Sequence, residues 1–365
     1  MSFSGSYRSE DVTFLLTRLE AQSFTSVPEK ERLIQSGQRH YSQMLSPESP
    51  PSPRYMAVFE EACRANNPRM AADCLRLAAL IDARREGGIT IVSLARAGTP
   101  VGVVVTRLLR EVFAREAVHY SVSIVRDRGI DWAALRHILA NGHAPESIVF
   151  VDGWTGKGVI ARELALSVSA FNASEGNKTG KIDNGLYVLS DLAGAAACAA
   201  SRMDYLIPSS ILNATVSGLV SRTVLDERIG PQDFHGCVYY GEFAPHDQSQ
   251  RFADEVAALA IAQARQDMPA PSALDAQAAA QVSRAYLHSA MARYGIVDVN
   301  LVKPGIGEAT RVLLRRAPRL LVLRARGAPS VAHLEVLAEE KQVPVEIDAD
   351  LPYHAVSLIR SASDG

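Results

Sequence analysis

Two glycine turns hold the residues best suited to chemistry in this sequence. The stretch "SIVFVDGWTGKGVIARE", residues 147 to 163, runs through apolar residues into Asp152 at a strand end. It turns through Gly153, Thr155, Gly156, Lys157 and Gly158 and becomes helical near Val159. "TIVSLARAGTPVGVVV", residues 90 to 105, does the same through Ser93, Arg96, Ala97, Gly98 and Thr99. Gly98 permits unusual backbone angles, Pro100 suits a first helical turn, and Arg96 adds a fixed positive charge. A helix that starts where a parallel strand ends offers unpaired N–H groups, so both turns are candidate anion sites. The later turn is no nucleotide P-loop, because Gly153 lies too close to Gly156-Lys157 and Gly158 replaces the hydroxyl. It also lacks the three spaced glycines of a dinucleotide fingerprint.

A different chemistry, nucleophilic attack by sulfur, needs a thiol, a base and an orienting polar group. The four cysteines, Cys63, Cys74, Cys198 and Cys237, show no zinc-type spacing, and no metal ligand set is assigned. Cys63 and Cys74 fall on an amphipathic helical pattern and read as core. Cys198, among small apolar residues, reads as a buried helix start or core position. Cys237 follows His235 by two positions in "DFHGCVYY", and such positions share one face of a strand without by themselves making a catalytic geometry. If a nucleophile exists, it is Cys198, or Cys237 with His235.

These turns need a scaffold, and the sequence predicts one. "ITIVSLA", "VHYSVSIV", "SIVFV" and "LYVLSD" read as strands; "MAADCLRLAALIDARRE", "TPVGVVVTRLLREVFA", "DWAALRHILA" and "VIARELALSVSAF" read as helices between them. That alternation predicts an α/β fold with a mainly parallel sheet flanked by helices. Residues 1–55, closing on "SPESPPSPRY", read as an N-terminal arm, 56–250 as the main domain and 251–294 as a helical linker. "GEATRVLLRRA", "RLLVLRA", "SVAHLEVLAEEK" and "VPVEID" predict a smaller C-terminal α/β/α domain over 295–365. The chain has 365 residues, 47% apolar and 21% charged, with a net charge of −2, enough for a full core and against wholesale electrostatic binding of nucleic acid. No signal peptide and no membrane-length apolar stretch is read, so the expected location is the cytoplasm, with no membrane partner.

"IVFVDGWTGKG" resembles the phosphate-cradling loop of phosphoribosyltransferases, and "SLARAGTP" is similar to that family's pyrophosphate loop. The resemblance implies a type I phosphoribosyltransferase-like sheet. Asp152 would face the ribose hydroxyls, while Gly153, Thr155, Gly156, Lys157 and Gly158 would hold the phosphate of phosphoribosyl pyrophosphate. Ser93, Arg96, Ala97, Gly98 and Thr99 would grip the diphosphate, and Arg126 and Arg128 in "SIVRDRGID" would belong to a mobile catalytic loop. Asp191, ending "LYVLSD", stands where relatives recognise the acceptor. Ser209, Ser210, Asn213, Thr215 and Arg222 would form a hood over it or pack as a helix.

"FSGSYRSEDVTFLL", "SGQRHYSQMLSPE", "SLARAGTPVG", "IVRDRGID", "VDGWTGKG", "YLIPSSILNATVSGLVSRT" and "FHGCVYY" together resemble a narrower group. It is the bacterial phosphoribosyltransferase-like family of tellurium-resistance and stress gene clusters, also catalogued as cysteine protease StiP. The C-terminal segment resembles the Pelota-like RNA-binding fold. There Gly305, Glu308 and Arg311 match the family element, and Arg315 joins them in the expected RNA-binding set. Seven basic residues between 303 and 326 (Lys303, Arg311, Arg315, Arg316, Arg319, Arg324, Arg326) against Glu308 alone suit phosphate contacts. The leading expectation is a magnesium-dependent phosphoribosyltransferase using phosphoribosyl pyrophosphate and an unidentified acceptor. Magnesium would ride on the diphosphate, RNA would bind the C-terminal domain, and homo-oligomers are frequent among relatives. The alternatives are a cysteine protease or hydrolase, and a non-catalytic phosphoribose- or RNA-binding protein.

Overall fold

Apolar, β-branched segments build a parallel sheet whose central strands are buried on both faces. The structure, a computed structural model, describes residues 3–20, 24–175, 180–270 and 274–360. Its first elements are β1 (Thr13–Leu15), β2 (Thr17–Arg18), α1 (Val27–Gln35), α2 (Pro53–Asp82), β3 (Ile89–Ala95), α3 (Thr99–Glu111), β4 (Ala117–Val125) and β5 (Gly129–Ile130). Next come α4 (Trp132–Ala140), β6 (Ile148–Thr155), α5 (Val159–Glu175), β7 (Leu186–Asp191), β8 (Cys198–Ser201), β9 (Gly236–Cys237) and α6 (Ser249–Ala264). The C-terminal part holds α7 (Ala276–Tyr294), β10 (Val302–Pro304), α8 (Ile306–Arg315), β11 (Pro318–Leu323), α9 (Ala332–Glu340), β12 (Val345–Ile347) and β13 (Ala355–Ile359).

The main sheet has the order β1-β4-β3-β6-β7-β8, every neighbour parallel, with β5 folded back antiparallel on β4. The mainly parallel α/β architecture read from the sequence is the one observed. One face is covered by α2, α3 and α6, the other by α4 and α5, each with its own apolar core. Helix α3 is buried from Thr99 to Leu109 because it lies between the sheet and α2 and α6. Ser52 caps α2 through Tyr55 N–H, and Pro53 opens it. A second sheet, β10-β13-β11-β12, forms the smaller C-terminal unit, and no described helix is long and apolar enough to cross a membrane.

Residues 13–15, expected in an arm, form the edge strand β1 beside β4, and β2 pairs with β9. The span expected as a linker, 251–294, falls mostly on two helices: α6 packs on α2 and α3, while α7 packs against the C-terminal unit. The hydrophobic core under α2 also runs on through Leu206 and Ile207 into Ile306, Ala309 and Leu313 of α8. The two units therefore share buried surface.

Candidate functional site

From β3 the chain moves to β4 on one side and then to β6 on the other. The loops after β3 and β6 therefore diverge at the switch point of the sheet, where α/β proteins open a crevice. Both glycine turns lie there. Strand β6 continues three residues past Asp152, with Trp154 opposite Ser190 and Thr155 opposite Asp191. Asp152 is thus inside a strand and not at its end, because the Gly153-Trp154-Thr155 backbone still finds ladder partners on β7. The actual turn is Gly156-Lys157-Gly158. Thr155 Oγ1 accepts from Gly158 N–H at 2.8 Å, and Gly158, at φ +71°, has no room for a side chain beside Ala195.

The C-terminal unit fills this crevice. Lys157 Nζ donates to Val299 O at 2.6 Å, a Cβ on Gly156 would lie 3.1 Å from Pro304 O, and Gly307 packs on the Trp154 ring. Gly305, at φ +92° and hard against Leu192, lets Ile306 N–H donate to Asp204 at 2.7 Å; the other Asp204 oxygen accepts from His354 N–H at 2.8 Å. Arg311 lies over Trp154, its guanidinium carbon 5.5 Å from the ring centre. Glu308 pairs with Lys303 at 3.6 Å and with Arg311 at 3.4 Å.

Burial raises Glu308, but Lys303, Arg311 and Lys157 pull it further the other way, to about 2. Burial, then the charge of Lys303, lowers Lys157 to about 7. Burial raises Asp152 to about 6, against the Gly153 N–H that its carboxylate accepts at 2.7 Å. The expected RNA contacts Gly305, Glu308 and Arg311 thus meet the expected phosphate loop at one seam. The Arg315 side chain lies outside the described residues. Of the other basic residues, Arg319 donates to Tyr294 O and Arg324 to Leu351 O, which spreads them over the unit.

The first turn is also engaged by protein. Arg96 pairs with Glu48 at 2.8 Å and donates to Val220 O at 2.8 Å and Asn213 at 3.1 Å. Two short 3₁₀ turns, Pro208–Ser210 and Ala214–Val216, stand where the hood was expected, in place of a packed helix. Arg222 donates to Tyr41 O and Met44 O, and burial, then the charge of Arg96, lowers it to about 10. Ser93 sits inside the sheet on His119 Nε2 at 2.8 Å, and Thr99 bonds Ser121 at 2.8 Å. Ala97 lies between Arg96 and Gly98, where a Cβ would fall 2.8 Å from Val151 O. The basic loop expected to be mobile is a tight turn between β4 and β5, with Arg126 N–H on Tyr41 Oη at 2.7 Å and Arg128 N–H on Val125 O at 3.1 Å. Asp191 caps its own turn, accepting from Ala193 and Ala196 N–H at 3.0 Å each.

The cysteines lie apart from this seam. All four are buried and reduced. Burial pushes Cys63 and Cys237 up to about 12 and Cys74 well above its usual range. Cys198, expected at a helix start or in the core, opens strand β8 at the amino end of the sheet, buried beside Arg84 and Arg85, which oppose the upward shift that burial causes. Cys237 lies on β9 beside β2, whose Arg18 also opposes its shift and stacks on Phe3 and Tyr239.

Just before β9, His235 Nδ1 is 2.8 Å from Ser123 Oγ, and Thr223 donates to that hydroxyl at 2.8 Å. Asp131 binds two elements at once: Oδ1 caps α4 through Ala134 N–H at 3.2 Å, and Oδ2 accepts from His235 N–H at 2.6 Å. Burial lowers the His235 pKa, and Asp131 works against that fall. A partly exposed imidazole, a hydroxyl and a carboxylate therefore meet at the carboxyl-end side of β4, and Cys237 follows on β9. Sequence reasoning singled out Cys237 and His235 and passed over Ser123, Asp131, Glu48 and Trp154. Only Trp154, an aromatic inside a glycine turn, carried a local signal.

A family model described as "Tellurite-like stress resistance cysteine protease StiP" matches residues 5–257, and one described as "PELOTA RNA binding domain" matches residues 281–361. Over 377 aligned residues, covering all of this chain, it is 41% identical to "Cysteine protease StiP" of Acinetobacter baylyi, 96% of which is spanned. These findings overturn the leading expectation of a phosphoribosyltransferase, in activity and enzyme class, because both the family and the relative are named as cysteine proteases. The same crevice gives a physical reason: Lys157, Gly156 and Arg96 are engaged by protein groups where a sugar phosphate would sit. Magnesium had been expected only as the companion of that substrate.

Proposed function

This chain belongs to the StiP family, and from that membership we propose that it is a cysteine-dependent peptide hydrolase with Cys237 as nucleophile and His235 as base. The observation that carries the choice of residues is the fixing of His235, by Asp131 at its backbone and by Ser123 at Nδ1, just before the short strand β9 that carries Cys237. Occupying Nδ1 leaves Nε2 to take the thiol proton. The thiolate sulfur then bonds the peptide carbonyl carbon, the C–N bond breaks, and the imidazolium returns its proton to the leaving amine. Water, deprotonated by the same imidazole, cleaves the thioester and restores the thiol.

Cys237 is fully covered in this state, and its thiol is held protonated by burial. The proposal therefore includes an opening of β2 from β9, a pairing of two residues flanked by bonds from Thr17 N–H to His235 O at 2.9 Å and from Leu19 N–H to Cys237 O at 2.8 Å. Hydrolysis of a peptide library by the protein and its four single Cys→Ser variants tests it. Loss confined to Cys237→Ser is expected. Loss in Cys198→Ser alone moves the nucleophile to β8, and full activity in all four ends the cysteine reading.

We also propose RNA as a partner of the C-terminal unit, supported by the match of residues 281–361 to an RNA-binding domain model. Gly305, Glu308 and Arg311 already face Leu192, Lys303 and Trp154, so RNA reaching them must first open the seam. Binding to structured RNA that weakens progressively with salt is the expected result; no binding at low salt ends this reading.

A further inference from the structure

A cavity of ≈ 280 Å³ lies on the far side of the seam, where the end of β7, helix α7 and the loop before β13 meet. The thiol reading does not use it, and of the basic residues named for RNA only Arg324 reaches it. Arg202 and Arg324 reach it from the two units, and Val282 and Tyr353 supply apolar wall. Arg202 is the unusual member. It gives one hydrogen bond, Nη2 to Leu274 O at 3.0 Å, and its Nε and Nη1 are buried with no partner among the described residues. A buried donor left unmatched costs roughly 1–3 kcal/mol, and more when charged, so a guanidinium persists in that state where something else completes it.

The carboxylates at the rim do not complete it. Both oxygens of Asp191 accept backbone N–H groups of the 193–196 turn, and both oxygens of Asp204 accept N–H groups of Ile306 and His354. Arg324 spends Nε on Leu351 O at 2.7 Å. At a share of about 30 Å³ per water, the cavity holds roughly nine waters, the size of a compact organic molecule. Its polarity is asymmetric: two guanidinium groups offer N–H donors, and Tyr353, Ala279 and the half-exposed Val282 offer an apolar wall.

We propose that this cavity binds a small organic anion, a carboxylate or a phosphate monoester on a compact apolar body, held between Arg202 and Arg324. Because one arginine comes from each unit, the ligand ties the C-terminal unit to the main sheet. The full chain is titrated with phenyl phosphate, benzoate and inorganic phosphate, followed by calorimetry and thermal unfolding. One of the two organic anions is expected to bind saturably and raise the unfolding temperature, and the stronger of them identifies the head group. Arg202→Gln is expected to weaken binding roughly tenfold or more, as is Arg324→Gln. Val282→Trp, which fills the space and leaves both charges, is expected to abolish binding while the unliganded protein stays folded. Arg126→Gln, in the crevice on the other side of the seam, is expected to leave it unchanged. Three results overturn the proposal: no saturable binding of either organic anion, binding that survives both Arg202→Gln and Val282→Trp, or binding lost in Arg126→Gln.

Discussion

The seam and the His235 corner sit at the same end of one sheet and treat charge in opposite ways. At the seam, Lys157, Lys303 and Arg311 surround Glu308; burial lowers the two lysines, and the cations hold Glu308 low against its own burial. Such a group is costly to disassemble, because removing one member leaves the others charged and partly buried. At the corner, one imidazole is held by a hydroxyl, and the backbone N–H of the same histidine by a carboxylate that also caps a helix. The seam holds two bodies together, whereas the corner orients a single ring. Conspicuous glycine loops can therefore end as docking surface, while the partners that fix His235 carry no local sequence pattern.

The comparison breaks most sharply at the thiol. Cys237→Ser is expected to lower peptide hydrolysis by roughly 1000-fold or more with little change in unfolding temperature, read by initial rates beside calorimetry. Full activity would leave the corner a structural network. At the seam, Glu308→Gln is expected to cost about 3–5 kcal/mol in denaturant unfolding, since three cations lose their counter-charge. A loss below about 1 kcal/mol would mean that apolar contacts alone hold the units.

His235→Gln is expected to slow hydrolysis roughly 100-fold. Ser123→Ala is expected to act more gently and to move the pH profile, which a purely packing role for Ser123 would not do.

pH separates the seam's two acids, because their shifts have opposite signs. Glu308 is lowered from 4.5 to about 2, so its contribution is complete above pH 4.5 and is lost as pH falls toward 2. The stability gap between wild type and Glu308→Gln should close over that window. Asp152 is raised from 3.8 to about 6, so its favourable contribution is complete below 3.8 and is lost as pH rises through 6. Asp152→Asn should accordingly gain on wild type above pH 6 in the same unfolding series. The smallest effect is steric: Gly307→Ala places a methyl group 3.1 Å from the Trp154 ring and should cost about 1 kcal/mol. An unchanged midpoint would show that the seam has slack there.

Much of the scaffold was legible. The strands β3, β4, β6 and β7 and the helices between them follow apolar runs and helical periodicity in "ITIVSLA", "VHYSVSIV", "SIVFV" and "LYVLSD". The short pieces were not: β1, β2 and β9 have three, two and two residues, too few for any period to show. They are strands because a sheet edge or another short segment offers them hydrogen-bond partners. The candidate site divides in the same way. His235 and Cys237 are brought near each other by local spacing, but Asp131 and Ser123 reach His235 from over a hundred positions away.

What this sequence fixed by itself is local: which segments are helix or strand, which glycines turn, and the parallel sheet those choices require. Nearest-neighbour sterics and the burial of one apolar face decide these within a dozen residues. The fate of the glycine loop was decided only in three dimensions. Asp152, Gly156 and Lys157 have the composition of an anion cradle, yet residues about 150 positions later supply the carbonyls of Val299 and Pro304 and the carboxylate of Glu308 that meet it. A loop's chemistry is set by whatever fills the space beside it, and that neighbour is chosen by the packing of the whole chain.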